Sequence, residues 1–79
     1  MDSITTGLYR ALHKKFEAEK YVAKVNLEAY FSRSVGVAEH PHIIESMDGL
    51  FDTYCCACEK IERLEADFGN FNGGRDGET

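Results

Sequence analysis

Residues 41–68, PHIIESMDGLFDTYCCACEKIERLEADF, decide the fold. Ile44, Met47, Phe51, Tyr54, Cys58, Ile61, Glu65 and Phe68 follow one another at alternating steps of three and four residues. That spacing sets side chains on one face of a helix, in the heptad manner, with Glu65 as the polar member. Ile43, Leu50, Ala57 and Leu64 recur every seven residues beside them and widen the stripe. Gly49 lowers helix propensity, but one glycine does not end so regular a pattern. Pro41 suits the first helical position, where its missing amide proton matters least. Gly69 suits the position just past the last turn, and Phe71 can fold back on that end.

Upstream, residues 8–32 contain neither proline nor glycine. Leu8, Leu12, Phe16, Ala23, Leu27 and Tyr30 recur at steps of three, four or seven, and Phe31 broadens their stripe. Ser3, Thr5 and Thr6 are candidate caps, because their oxygens can accept free amide protons of a first turn. The expectation is a helix over about 5–34, a corner at 35–40, a second helix over 41–68, and a disordered glycine-rich tail at 69–79. Within the corner, SVGVAEHP, Gly36 can adopt the left-handed conformation that ends a helix, His40 sits at the cap position, and Pro41 restarts the chain. A short corner makes consecutive helices antiparallel neighbours. The fold class is therefore all-α, an αα-hairpin of two long helices in one domain.

The corner VGVAEHPHIIE, residues 35–45, resembles a group of short, uncharacterised helical-hairpin proteins of tailed bacteriophages. These carry a similar Val-Gly-(Val/Ile)-x-Glu-His-Pro-x-Ile-Ile-Glu corner between two charged helices. Val35, Gly36, Val37, Glu39, His40, Pro41, Ile43, Ile44 and Glu45 match. Ala38 departs from it where glycine is common, and His42 where an acidic residue is common. The resemblance implies a phage-encoded protein working in the host cytoplasm or as a virion component. It implies no activity and no catalytic residue.

Composition sets bounds on function. The chain has 79 residues, a formal net charge of −5 and a pI near 5.0. A nucleic-acid groove needs a basic face, so this balance argues against one. Lys14, Lys15, Lys20 and Lys24 make the first helix partly basic, as solvated helices often are. The acids of the second, Asp48, Asp52, Glu59 and Glu62, are those of an ordinary solvated face, although such a row can mimic a DNA backbone. Residues 1–34 hold six basic and four acidic side chains, and residues 35–79 hold three and ten. Opposite signs favour packing the two halves together. No apolar run approaches the length of a membrane helix, and MDSITTGLYR lacks the pattern of a secretory signal. The expected setting is the cytoplasm.

The cluster YCCACEK, residues 54–60, offers Cys55 and Cys58 one helical turn apart, with Cys56 about 100° away. Reactive Cys-x-x-Cys pairs sit at helix N-termini, whereas these lie deep inside a helix beside acids, which disfavours thiolate. A structural zinc needs four ligands. Cys55, Cys58, His40 and His42 are the candidates, and His40 and His42 lie several turns from the cysteines. The simpler role for Cys58 is that of a small apolar seam residue, with Cys56 more exposed. No serine–histidine–acid set, phosphate loop or metalloprotease motif occurs, so neither catalytic residues nor cofactors are expected.

A second apolar stripe, Ala11, Ala18, Val22, Val25 and Ala29, runs roughly 120° around the first helix. A lone hairpin of this size has a thin core. Pairing two hairpins across this stripe would make a four-helix bundle, with twofold symmetry as the common solution. The functional expectation is a non-enzymatic helical interaction or assembly protein, a homodimer that meets an unidentified host or phage protein. The alternative is a small metal-binding protein using the cysteines or the corner histidines.

Overall fold

A computed structural model of the chain describes residues 3–33 and 41–73. Two helices, α1 (Ser3–Arg33) and α2 (Pro41–Phe68), pack along each other, and one 3-10 turn (Gly69–Phe71) follows. No strand occurs among the described residues. The α1 boundaries lie within two residues of those expected, and α2 matches at both ends. Gly36 and His40, with the rest of the 34–40 corner, lie outside the described residues. Gly49 is helical, and a Cβ placed there would meet nothing within 4 Å.

The hairpin is a rod of 55 × 20 × 17 Å with a radius of gyration of 17.1 Å. A compact domain of this length would have a radius of about 12 Å. The rod shape follows from two helices of about 46 and 42 Å lying side by side. Its core is correspondingly thin: Tyr9, Ala23 and Leu27 from α1, with Ala57 and Leu64 from α2. Ala23 and Ala57 are each 1% exposed, so the smallest side chains occupy the tightest part of the seam.

The seam corrects the sequence expectation in both helices. On α2 the covered positions are Ile43, Met47, Leu50, Tyr54, Ala57, Cys58, Ile61 and Leu64, of which Met47, Tyr54, Cys58 and Ile61 belong to the expected stripe. Ile44, Phe51 and Phe68, placed above in the centre of the stripe, are instead more than half exposed, and Glu65 lies on the flank. On α1, Leu8 is 67% exposed and Leu12 is 42% exposed. The inward positions are Tyr9, His13, Phe16, Lys20, Ala23, Leu27 and Tyr30, a heptad series with two polar members. Polarity hid this series: the ring of His13 stacks on Tyr9, and the aliphatic stem of a lysine can lie in a seam while its charge reaches water.

The chain does not fray at Gly69. Phe71 stacks on Phe68 at 6.5 Å, and Asn72 donates its amide proton to the Gly69 carbonyl at 3.0 Å. Arg10 Nε donates to Asn72 Oδ1 at 3.1 Å, and a Cβ at Gly73 would come 2.9 Å from Thr6 Oγ1. The first five residues of the expected tail thus lie back on the start of α1; residues 74–79 are outside the described set. No glycine among the described residues has positive φ, so Gly69 ends α2 through a 3-10 turn rather than a left-handed cap.

Candidate interaction surface

Register between the helices is visible in two polar contacts. Near the open end, His13 Nε2 lies 2.7 Å from Glu65 Oε2, and its Nδ1 lies 3.6 Å from Glu17 Oε2. The carboxylate accepts, so Nε2 carries the proton in the Glu65 contact. The ring also stacks on Tyr9, with centroids 6.0 Å apart. At mid-length, Lys60 Nζ stands 3.9 Å from Glu19 Oε1 and 5.2 Å above the Phe16 ring. Lys15 Nζ donates to the other Glu19 oxygen at 2.6 Å. That hydrogen bond from Lys15 holds the Glu19 carboxyl below its usual range, with smaller help from the charges of Lys15 and Lys60 against the cost of desolvation.

The cysteines are free thiols. Cys58 is half-buried, Cys55 and Cys56 are exposed, and the fully covered member of the segment is Ala57. Of the corner histidines, His42 is exposed with Nδ1 3.7 Å from Glu45, and His40 lies outside the described residues. Among the described residues, no group of three or more His, Cys, Asp or Glu side chains is placed to hold a metal ion. Cys55, Cys58 and His42 are therefore not brought together with further ligands.

The surface cavities are shallow and open. The one around His13, of about 610 Å³, is lined by Tyr9, Arg10, Glu17, Glu65 and Asn72 among others, a polar furrow where the tail crosses α1. Another, of about 320 Å³, lies along Ala18, Val22, Ala23, Leu50 and Thr53.

The five stripe residues named from sequence, Ala11, Ala18, Val22, Val25 and Ala29, are all exposed, with Val22 at 56%. They lie outside the inner seam of α1, and Ala18 and Val22 border the groove where α1 meets Leu50 and Thr53 of α2. The structure adds Ile4, 74% exposed, and Leu8 to the same line. The full series Ile4, Leu8, Ala11, Lys15, Ala18, Val22, Val25, Ala29 again steps by four and three. This is a second heptad seam, with Lys15 its one charged member. Ile4 and Leu8 were legible in the same spacing, but Leu8 had been assigned to the inner stripe. Among the described residues no helix is long and apolar enough to cross a membrane.

The chain matches no family model, and comparison with curated proteins and with solved structures gives no match.

Proposed function

We propose that the protein is a non-enzymatic helical interaction protein that self-associates and presents a helical face to a second protein. The observation that carries it is the outer seam of α1, apolar at seven of eight positions and uncovered over its length. Five residues form the buried core, whereas eleven large apolar side chains among those described are exposed. Exposure on that scale in a small chain marks a surface that works by being covered. The furrow around His13 is open to water, which suits it poorly to chemistry that needs water excluded. The resemblance of the corner supports a phage-encoded protein acting in the host cytoplasm or in the virion, with a host or phage protein as its further partner.

Sedimentation velocity over a range of concentrations tests self-association. The wild type sediments as a dimer, and Val22→Glu/Val25→Glu sediments as a monomer or loses helicity. A wild type that stays monomeric at millimolar concentration overturns self-association. Capture from host cells with wild type and with the double variant then identifies the second partner as the protein lost with the seam.

A further inference from the structure

We infer that the outer seam of α1 takes a second copy of the same seam running in the opposite direction, with Lys15 of each chain set beside Glu19 of the other. The inference rests on the self-association proposed above and adds the direction and the alignment.

Direction follows from what each arrangement puts together. Parallel, in-register pairing sets Leu8 against Leu8, Ala11 against Ala11 and Lys15 against Lys15. It leaves large side chains crowded at some levels, gaps at others, and two ammonium groups adjacent. Reversing one copy about a point between Phe16 and Glu17 aligns all eight positions. Ile4 then faces Ala29, Leu8 faces Val25, Ala11 faces Val22, and Lys15 faces Ala18. Most layers now join a larger side chain to a smaller one, which fills space evenly between two helices.

Charge selects the same arrangement. Lys15 is the seam's single charge, and a lone polar residue in a heptad seam fixes direction and alignment. Glu19, on the flank next to Ala18, holds Lys15 at 2.6 Å within its own chain. In the reversed pair Lys15 stands level with Ala18 and Glu19 of the other copy, so two lysines and two glutamates alternate around the centre. Lys60, 3.9 Å from Glu19, borders this group. Because the inner seam of α1 already holds α2 of the same chain, pairing along the outer seam puts the two α1 helices at the centre of the dimer, with each α2 beside its own α1.

Two measurements on the full-length chain test this. The first is sedimentation of Lys15→Glu and Glu19→Lys, each checked for wild-type helicity by circular dichroism. Either variant alone places four like charges at the centre and weakens the dimer about tenfold or more, while an equimolar mixture pairs as well as wild type. The second is the distance between spin labels on Ile4→Cys, in a chain whose Cys55, Cys56 and Cys58 are replaced by Ala. Reversed copies set the labels about 38 Å apart at 1.5 Å per residue, and parallel copies bring them within about 15 Å. A wild-type dimer with labels close together, or one indifferent to both charge changes, overturns the reversed arrangement and leaves self-association standing. A wild type that does not dimerise overturns both.

Discussion

α2 buries Ala57 and Leu64 on one stripe, leaves Ile44, Phe51 and Phe68 exposed beside it and carries acids elsewhere, whereas α1 has apolar seams on two sides. The inner seam of α1 is the more polar of the two, with His13 and Lys20 among its members; the outer has only Lys15. A helix with one stripe needs one neighbour. A helix with two is built for two, and the single chain supplies only α2. The difference teaches that the hairpin's inward face is set by fit and partners, not by which residues are most hydrophobic. Tyr9 is covered while Leu8 beside it is not.

The sharpest way to break this contrast is to trim a side chain on the seam and one outside it. Leu64→Ala, at 7% exposure in the wild type, loses about 2–3 kcal/mol of folding stability. Phe51→Ala, 54% exposed, loses about 0.5–1 kcal/mol despite removing more atoms, because its ring keeps mainly a 6.1 Å stack with Tyr54. Urea melts at one protein concentration compare them; equal losses would mean that Phe51, not Leu64, faces α1.

Overfilling sharpens it from the other direction. Ala57→Leu inserts three carbons where the helices lie closest and costs about 1–3 kcal/mol. Ala11→Leu, on the outer seam, leaves the fold of the hairpin within about 0.5 kcal/mol and acts on self-association instead. Thermal melts and sedimentation of the pair separate the two seams. A destabilised Ala11→Leu monomer would show the outer face to be part of the hairpin core.

The cysteines give a smaller effect. Cys58→Ala costs about 1 kcal/mol, since Cys58 is partly buried, and Cys56→Ser, at an exposed position, stays within about 0.5 kcal/mol. The reverse order in chemical denaturation would rotate α2 by one position.

Smallest is the dependence on pH at Glu19. Its folded pKa is depressed by Lys15, so its contribution to stability is present above the unfolded value and fades as pH falls through the folded one. Glu19→Gln should therefore flatten the acid limb of a stability–pH curve slightly. An identical acid limb in both forms would show that the Lys15 bond does not persist in solution.

Local chemistry was enough to determine the helices themselves. Pro41 and Gly69 bracket α2, the uninterrupted run through residues 8–32 makes α1, and the outer stripe from Ala11 to Ala29 could be read from spacing alone. All of these depend on neighbours within one or two turns, where residue type and period are sufficient. Only the tertiary structure decided the rotation of each helix about its axis. The rows Ile43–Leu50–Ala57–Leu64 and Ile44–Phe51–Cys58 lie about 100° apart on the helix, yet both repeat every seven residues, so they are nearly equivalent as patterns. Packing separates them: Leu50 is covered and Ala57 is 1% exposed, whereas Phe51 stays 54% exposed. His13 and Lys20 joined the inner seam for a reason absent from their polarity: Glu65 lies 2.7 Å from His13, and the lysine stem can pack while its charge stays in water. The folded-back end at Asn72 was equally hidden, since its contact with Arg10 spans 62 residues and exists only once the two helices lie side by side.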